Sequence, residues 1–419
     1  MGREESIDTV DAIESGLSDD TIRVAHLTTV DSSLRYLLLP QLLALRDLGW
    51  VAIGISGPGP DVEFLHTSGV RHIPLKSSTR SKSVLADLRA ALELREILRS
   101  ETIDVLHTHN PKPGIYGRIV GRLSGVPIVV NTVHGLYASP EDGLWKRAVV
   151  YTLEWIASRF SDAELVQSRE DVETMSRLRI GSPKWRFHLG NGIDLKRFSP
   201  NSSPESKQRI RKVLGLTDEA VVVGCVARLV AEKGIPELME AYADRTSEYE
   251  LVVVGPADPS KADALTNSQI EAASRMGVRF LGHRDDVEDL YHALDLFVLP
   301  SHREGFPRAA MEAAASGLPI IATDVRGCRE VVSDGENGLL VPKLDATRLA
   351  RAIDHLVENS AERSRMSAVA RRKAEAEFDE VAVVRRVLAT YKQVAASKDL
   401  VRIARMLEKD AASDSTVGD

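Results

Sequence analysis

Residues 296–312 read LFVLPSHREGFPRAAME, in which a short apolar run is followed by a polar loop and then by a helical pattern. The apolar run at 296–300 is continuous, as expected for a parallel strand that helices cover on both faces. In open α/β sheets, ligands bind beyond the carboxyl ends of the strands. This stretch therefore predicts a fold class and also the position of a site.

The same alternation of apolar runs and amphipathic stretches continues along the chain in both directions. In the N-terminal half the predicted strands are residues 22–27, 51–56, 72–75, 103–107, 128–134 and 163–167, with helices at 34–48, 84–98, 114–123 and 144–160. In the C-terminal half the predicted strands are 221–227, 251–255, 278–281, 296–300, 319–323 and 338–341, with helices at 236–243, 286–293, 308–316 and 346–358. This pattern predicts an α/β protein with two doubly wound parallel sheets.

The length of 419 residues suits two domains. The pattern breaks at Asn191-Gly192-Ile193-Asp194, so we expect Rossmann-like domains at 21–195 and 196–380 that face a central cleft. We expect the acidic residues 1–20 and the tail 409–419 to be disordered. Helices are expected at 381–408, and whether one of them crosses back onto the first domain is left open by the sequence.

Composition excludes several classes of function. The net charge of −7 disfavours a nucleic-acid partner, and the two cysteines lack the paired spacing of a metal site and fit a reducing compartment. The acidic N-terminus is not a signal peptide, and no run of apolar residues is long enough to span a membrane. We therefore expect a cytoplasmic protein. No Gly-x-Gly-x-x-Gly follows the first strand of either domain, which weighs against a dehydrogenase.

Two carboxylates frame the loop after the strand at 296–300. Glu304 is expected near the start of the following helix, where backbone N–H groups attract anions, and Glu312 lies eight residues later, a little over two helical turns. Both side chains are thus predicted to face one ligand, and carboxylates accept hydrogen bonds from sugar hydroxyls. An isolated pair of this kind is more often a pair of solvated helix charges.

Two cations follow the strand at 221–227. Arg228 and Lys233 lie in Ala227-Arg228-Leu229-Val230-Ala231-Glu232-Lys233-Gly234. A departing diphosphate gathers negative charge, which fixed cations or a metal ion must stabilise. An Arg and a Lys at a strand end are common on protein surfaces, so their significance depends on the rest of the pattern.

Taken together, these motifs resemble glycosyltransferase family 4. The resemblance is carried by Glu304-x7-Glu312, by Ala315-Ser316-Gly317-Leu318-Pro319 and Asp334-Gly335-Glu336-Asn337-Gly338, and by the Arg228 segment, in which Ala227 replaces the family's usual glycine. It implies the GT-B fold and a nucleotide-sugar donor, with uridine as the usual base. It assigns Glu304 to the donor sugar, Glu312 to the ribose, Arg228 and Lys233 to the diphosphate, and Gly305, Phe306 and Pro307 to the donor loop.

The resemblance also covers other positions on the donor side. His134, in Asn131-Thr132-Val133-His134-Gly135, matches a family histidine that contacts the donor sugar. Asn191 is a candidate donor contact or a simple turn residue, and Gly255 and His283 are candidates to approach the base. His107 and His109 resemble metal ligands but lack an evident third ligand, so we interpret them as cleft-lining or structural.

The resemblance implies transfer with retention of anomeric configuration by front-face attack, with Glu304 binding the sugar rather than acting as nucleophile. The chain contains no Asp-x-Asp, the motif that commonly holds a divalent ion on the diphosphate in metal-dependent enzymes. We therefore expect no metal and no other cofactor. The predicted catalytic residues are His134, Glu304, Arg228 and Lys233.

The first domain is expected to bind the acceptor. Thr28-Thr29-Val30-Asp31-Ser32-Ser33-Leu34-Arg35 and His109-Asn110-Pro111-Lys112-Pro113-Gly114 resemble the capsular-polysaccharide and bacillosamine-transferase branch. That branch extends a sugar attached to polyprenyl diphosphate, so a lipid-linked glycan is the expected acceptor. The candidate acceptor-binding residues are Thr29, Asp31, Ser32, Arg35, Lys112 and Arg118.

The helix at 144–160 has two interpretations. Leu144, Ala148, Tyr151 and Trp155 share one helical face, which favours packing into the core. Its aromatic and basic residues also suit peripheral contact with the inner membrane face. We favour the core.

Three other functions remain open. A hexosyl- or N-acetylhexosaminyltransferase of this kind can instead act on a soluble acceptor, such as a natural product or a sugar phosphate. A sugar-nucleotide 2-epimerase would share the architecture and consume donor without an acceptor. A nucleotide-sugar sensor would bind donor without turnover.

Overall fold

The computed structural model describes residues 21–79, 83–109, 111–200, 203–259 and 261–403, so the predicted disordered segments 1–20 and 409–419 lie outside the described residues. The chain divides into two compact units. The first unit comprises residues 1–189 and 381–419, and the second comprises 190–380. Residues 190–195, predicted in the first domain, belong to the second unit because Ile193 is buried in its core and its N–H donates to the carbonyl of Phe378.

The first unit contains a seven-stranded parallel sheet of order β3-β2-β1-β4-β5-β6-β7. Its strands are β1 (Arg23–Val30), β2 (Val51–Gly57), β3 (Arg71–Pro74), β4 (Val105–His109), β5 (Ile128–Val133), β6 (Ala163–Val166) and β7 (Arg186–His188). Six of these strands were predicted from apolar runs. The seventh has three residues and no such run, so the sequence pattern missed it.

The helices of the first unit cover both faces of this sheet. Asp31–Ser33 and the π-helical Leu34–Leu38 lead into α1 (Leu39–Asp47), and α2 (Val62–Thr67), α3 (Val84–Ser100), α4 (Pro111–Leu123), α5 (Leu144–Ala157) and α6 (Arg169–Arg177) follow, with a 3₁₀ turn at Pro183–Trp185. Successive residues of β1 point to opposite faces. Val24 therefore packs into one core cluster while Ala25 and Leu27 pack into another.

The second unit contains a six-stranded parallel sheet of order β10-β9-β8-β11-β12-β13. Its strands are β8 (Val222–Val226), β9 (Glu250–Val254), β10 (Arg279–Phe280), β11 (Leu296–Leu299), β12 (Ile320–Thr323) and β13 (Gly338–Val341). Its helices are α7 (Pro204–Leu214), α8 (Ile235–Ala243), α9 (Asn267–Arg275), α10 (Val287–Ala293), α11 (Arg308–Ala315), α12 (Arg326–Val331), α13 (Ala346–Glu358) and α14 (Ser360–Glu377), with a 3₁₀ turn at Ala231–Lys233.

Both sheets have the same topology. The order of strands reverses between β1 and β4 in the first unit and between β8 and β11 in the second. At such a switch point the loops from two neighbouring strands diverge and leave a crevice at the carboxyl ends. The fold therefore marks one position in each unit where a site is expected.

The helix α15 (Glu380–Ser397), the last one with a named range here, belongs almost entirely to the first unit. Val383, Val387, Tyr391 and Val394 recur at helical spacing and are buried in the core cluster that contains Val24 and Val130. Each fully buried aliphatic side chain stabilises a fold by about 1.5–3 kcal/mol. The C-terminal segment is thus part of the first unit's core.

Candidate active site

The second unit carries its charged site at its switch point. Arg228 and Lys233 lie in the loop that leaves β8, and Glu304 lies in the loop that leaves the neighbouring strand β11. The Nζ atom of Lys233 is 2.6 Å from Oε1 of Glu304, and the two side chains are 21% and 11% exposed. The structure therefore brings together two predicted site residues that are 71 positions apart in the chain.

Gly234 allows the loops after β8 and β11 to approach each other closely. Its φ of +69° lies in the left-handed region, and an added Cβ would lie 2.0 Å from the carbonyl oxygen of Pro300, at the end of β11. A backbone N–H to carbonyl bond from His302 to Glu232, 2.9 Å long, ties the same loops together. Gly234 is thus the residue that lets Lys233 reach the switch point.

Arg228 lies five residues before Lys233 in the sequence and forms an ion pair with a different carboxylate. Its NH1 group donates to Oδ2 of Asp258 at 2.7 Å, and 40% of its side chain remains exposed. Asp258 was not among the predicted site residues, since it lies in an irregular loop after β9 without a recognisable motif. The ion pair with Asp258 fixes the direction of the Arg228 guanidinium and leaves part of it accessible to solvent.

Glu304 lies four residues before the start of the following helix and not within it, which corrects the helical-spacing argument for the two carboxylates. The helix α11 begins at Arg308, with Pro307 as its cap, so Glu304 and Gly305 belong to an extended loop. Phe306 holds this loop by an edge-to-face contact with Phe378 at 5.9 Å. Gly327 of α12 lies under it, because a Cβ there would come within 2.7 Å of the Glu304 backbone.

Glu312, on the second turn of α11, is mostly buried. Its Oε2 accepts a hydrogen bond from the Tyr291 hydroxyl at 3.1 Å, and Oε1 accepts one from Arg308 Nε at 3.4 Å. Burial, with the nearby Glu312 charge, raises the pKa of Tyr291 well above its usual value, so that hydroxyl stays protonated and donates. Glu312 is therefore positioned by α10 and by its own helix.

The remaining residues predicted to bind the nucleotide-sugar donor differ in the contacts that they make within the protein. The Gly255 N–H already donates to the carbonyl of Gly282 at 2.8 Å, so it is engaged within the protein. His283 is largely exposed and lies 3.4 Å from Asp285. Asn191 accepts the N–H of Gly192 through its own side chain, as in a turn.

The switch point of the first unit holds imidazoles instead of charges. His26 of β1 and His107 and His109 of β4 are fully buried on the sheet face that α15 covers. Nδ1 of His26 is 2.9 Å from Nε2 of His109, and Nδ1 of His109 is 3.0 Å from Nε2 of His134. His26 was missed by the sequence analysis, although a histidine inside the apolar run of the first strand was the available signal.

His107 extends this group toward the last helix. Its Nδ1 pairs with the Tyr391 hydroxyl at 2.7 Å and its Nε2 with Thr132 Oγ1 at 2.7 Å. Burial lowers the pKa of His26 to about 3 and of His134 to about 4, and it lowers the pKa of His107 and His109 well below 6.5. All four rings are therefore neutral at physiological pH.

The nitrogens of His26, His107 and His109 lie within 4.8 Å of one another, so the missing third ligand of the sequence analysis exists. Both nitrogens of His107 and both of His109 are nevertheless used in hydrogen bonds of 2.7–3.0 Å. A metal ion would have to replace several of these bonds. The arrangement fits a hydrogen-bonded group of rings better than a metal centre.

Arg118 was predicted to bind the acceptor, and the structure corrects this prediction. Its side chain is fully buried, with NH1 2.9 Å from Glu164 and NH2 2.5 Å from Glu154. Although burial acts to lower it, the pKa of Arg118 is raised because both carboxylates stabilise the charge. Arg118 is thus a structural ion-pair residue that links α4, α5 and β6.

Of the other predicted acceptor residues, Thr29, Asp31, Ser32 and Arg35 lie at the end of β1 or in the segment that follows it, whereas Lys112 lies on α4. Asp31 is buried and its carboxylate accepts the N–H groups of Ser32 and Asp61, which closes the loop. Arg35 pairs with Asp61 at 2.7 Å and lies over the rings of Tyr36 and Phe64. Arg35, Thr29, Ser32 and Lys112 are partly exposed, and Lys112 pairs with Asp87 at 2.7 Å.

The preferred core packing of the helix at 144–160 is wrong. Leu144 and Trp155 are 78% and 41% exposed, and Trp145 is 86% exposed. The buried positions of α5 are Glu154 and Ala157, because Glu154 turns inward to pair with Arg118. Among the described residues, no helix is long and apolar enough to cross a bilayer.

Comparisons with known proteins agree with this architecture. Residues 206–373 match the model described as "Glycosyl transferases group 1", and residues 38–192 match "Glycosyl transferase 4-like domain". HepE from Anabaena, solved in complex with UDP, aligns with a TM-score of 0.74 and 21% identity over 88% of this chain and 99% of that one. The two units thus form a GT-B fold, the architecture of a class of nucleotide-sugar-dependent enzymes.

Two curated relatives narrow the class to a family. A UDP-Gal:alpha-D-GlcNAc-diphosphoundecaprenol alpha-1,3-galactosyltransferase of Escherichia coli is 31% identical over 307 residues, which is 72% of this chain and 78% of that protein. An N,N'-diacetylbacillosaminyl-diphospho-undecaprenol alpha-1,3-N-acetylgalactosaminyltransferase of Campylobacter jejuni is 26% identical over 89% of this chain and 99% of that one. The chain therefore belongs to the same glycosyltransferase family as these relatives. The predicted family resemblance and the predicted enzyme class are confirmed.

Proposed function

We propose that this glycosyltransferase transfers a hexosyl or N-acetylhexosaminyl group from a UDP-sugar, with retention and without a metal ion, onto a polyprenyl-diphosphate-linked sugar. The observation that carries the proposal is the pairing of Lys233 with Glu304 at the switch point of the second unit. A cation there suits the donor diphosphate, and a carboxylate beside it suits the sugar hydroxyls.

The charges of the second unit support a role for its cations on the diphosphate. Lys233 and Arg228 each pair with one carboxylate, and both side chains remain partly exposed. A bound diphosphate would accept hydrogen bonds from both, with the N-terminus of α11 adding backbone donors. These groups stabilise the charge that develops on the departing phosphate, the task a divalent ion performs in metal-dependent enzymes.

The reaction then follows from these roles. An acceptor hydroxyl oxygen forms a bond to the anomeric carbon on the face from which the bond to the diphosphate oxygen breaks. The hydroxyl proton goes to the departing phosphate, and UDP is released. Glu304 binds the sugar, as the family resemblance implies, while the protein contributes mainly orientation and fixed charge.

A direct test of the chemistry is transfer from a panel of nucleotide sugars, followed by NMR of the anomeric proton of the product. We expect a UDP-sugar to be consumed only with acceptor, and the product to keep the donor's configuration. Consumption of donor without acceptor would instead indicate an epimerase, and tight binding without turnover a sensor. An inverted product would contradict the proposed mechanism.

The lipid-linked acceptor is supported by the two curated relatives, whose names specify undecaprenol-linked sugars. The test is competition between a polyprenyl-diphosphate-linked sugar and a soluble sugar phosphate of the same sugar. We expect kcat/KM to be higher for the lipid-linked substrate. Equal values would favour the alternative of a soluble small-molecule acceptor.

Peripheral membrane contact is proposed as the way in which a lipid-linked acceptor is reached. Trp145, Val149 and Ile156 recur at helical spacing on α5 and are exposed to solvent over 41–86% of their surface, so the helix presents an apolar stripe. Arg159 lies over the Trp155 ring at the end of this helix. Aromatic and basic side chains together suit the headgroup region of an anionic bilayer.

Liposome flotation with anionic lipids tests this contact. The double variant Trp145→Ser with Ile156→Ser should lose binding, while the matched variant Leu85→Ser with Leu88→Ser, on the exposed face of α3, should retain it. Turnover of a water-soluble acceptor analogue should be unchanged in both. Absence of wild-type binding at low salt would remove the membrane proposal but not the transferase.

A further inference from the structure

His26, His109 and His134 form a continuous chain of hydrogen-bonded rings. The chain starts in β1, passes through β4 and ends after β5, with nitrogen-to-nitrogen distances of 2.9 Å and 3.0 Å. His134 is partly exposed at one end, whereas His26 is fully buried at the other. Within the described part of the chain, Nε2 of His26 has no hydrogen-bond partner.

The proton count of this chain restricts its tautomers. Three neutral rings carry three N–H groups, and two of these lie in the two bonds between rings. The third must lie at one end, either on Nε2 of His26 or on Nδ1 of His134. Which nitrogen of a histidine is protonated is set by the hydrogen bond that the other nitrogen makes.

The two ends are not equivalent. An N–H on Nε2 of His26 would be a buried donor without an acceptor, which costs about 1–3 kcal/mol. At the other end, His134 is partly exposed and its Nδ1 is not among the buried atoms that lack a partner, so an N–H there need not be left without an acceptor. The third N–H is therefore on Nδ1 of His134, and every bond in the chain runs from His26 toward His134.

We propose that His109, held by His26, is the positioning residue that fixes His134 as its Nδ1–H tautomer, so that His134 presents a hydrogen-bond donor to an oxygen of the bound sugar. This inference rests on the proposed transferase function. The sugar oxygen accepts the hydrogen bond from Nδ1, and no proton leaves the ring. His134 is then a hydrogen-bond donor and not a general base.

The chain of rings also explains why one imidazole is supported by two others. A single histidine at a strand end can take either tautomer and can rotate about its side-chain bonds. Because Nε2 of His134 accepts from His109, both the ring plane and the protonated nitrogen are fixed before the donor binds. Preorganisation of this kind removes the reorganisation that would otherwise oppose the reaction.

Nitrogen NMR of the protein labelled with ¹⁵N-histidine tests the tautomer directly. The resonances of His134 are identified by their loss in His134→Gln. We expect Nδ1 of His134 to be protonated and Nε2 to be unprotonated in the wild type without any ligand. A protonated Nε2 would overturn the proposal, and so would a stoichiometric metal ion in the purified protein, because ligation removes ring nitrogens from the chain.

Two variants of His109 separate positioning from packing. In His109→Asn the side-chain amide occupies the place of Nδ1 and still donates to His134, whereas in His109→Leu the donor is absent. We expect His109→Leu to lose the single tautomer and to lower kcat by about tenfold with little change in KM, the size of about one hydrogen bond. His109→Asn should restore the tautomer and most of kcat, and His355→Leu, on the exposed face of α13, should change neither.

Equal losses in the Asn and Leu variants with an unchanged tautomer would overturn the positioning role. The wild-type spectrum needs no activity, so it remains decisive if the transferase proposal fails. It also remains decisive if a His109 variant does not fold.

Discussion

The two switch points share one topology and carry opposite chemistry. In the second unit the loops after β8 and β11 bring together a lysine and a carboxylate that stay partly exposed. In the first unit, β1 and β4 bring together histidines that are fully buried and neutral. The comparison shows that topology fixes where side chains meet, whereas burial decides whether they meet as charges or as neutral hydrogen-bonding groups.

The first unit also contains a buried cluster of charged side chains. Arg118, Glu154 and Glu164 are all buried, and Arg118 pairs with both carboxylates within the fold. In contrast, the ion pairs of Lys233 and Arg228 can be exchanged for pairs with a ligand. The first set is expected to control stability and the second set to control transfer.

The largest expected effect is on stability. Arg118→Leu leaves two buried carboxylates without their partner, so we expect it to lower the free energy of unfolding by about 3–5 kcal/mol. Chemical denaturation measures this, with Arg95→Leu, on the exposed face of α3, as the control. If Arg118→Leu is as stable as the wild type but has a raised KM for acceptor, Arg118 is an acceptor ligand. The contrast between buried stabilising charges in the first unit and ligand-binding charges in the second would then be wrong.

A comparable loss of activity is expected in the second unit. Lys233→Ala should lower kcat by about 10²–10³-fold, because one fixed donor to the departing phosphate is removed. Release of UDP measures this, and the melting temperature should stay near that of the wild type. Lys212→Ala, on the exposed face of α7, serves as the control, and near-normal turnover of Lys233→Ala would discard the assignment.

The neutral rings predict how stability depends on pH. Since burial lowers the pKa of His26 to about 3, the unfolded chain binds a proton near pH 6.5 and the folded chain does not. Stability should therefore be full above pH 6.5 and fall as the pH decreases below it, by about 1.4 kcal/mol per pH unit for each such ring. The variant His26→Asn should show a shallower fall in melting temperature between pH 6.5 and 5, and an unchanged slope would contradict the neutral state.

The smallest expected effect concerns the last helix. Tyr391→Phe removes the hydroxyl that pairs with His107, which should cost about 0.5–1.5 kcal/mol of stability. Thermal unfolding measures it, with Tyr36→Phe at an exposed position as control. No change would mean that packing alone holds α15 on the first unit.

Most structural features that depend on a local pattern of residues were predicted from the sequence. Continuous apolar runs located twelve of the thirteen strands among the described residues, and the site of the second unit was found because Lys233 and Glu304 lie in motifs that follow strands. The short polar strand β7 and the partner Asp258 lack such a pattern, so neither was predicted.

Features that depend on distant partners were not accessible from the sequence. His26 is 83 residues from His109, and only the pairing of β1 with β4 brings them together. The face that α5 buries was predicted incorrectly because hydrophobic periodicity favoured Leu144 and Trp155. The ion pair of Glu154 with Arg118 determines the rotation of that helix instead.

The central claim is that fixed cations of the second unit hold the donor diphosphate in place of a metal ion. Calorimetric titration of UDP into the protein with EDTA, and again with magnesium, tests it most directly. We expect the same Kd in both buffers for the wild type and a weaker Kd for Lys233→Ala and Arg228→Ala in both. Loss of UDP binding in EDTA, with recovery on addition of magnesium or manganese, would contradict the claim.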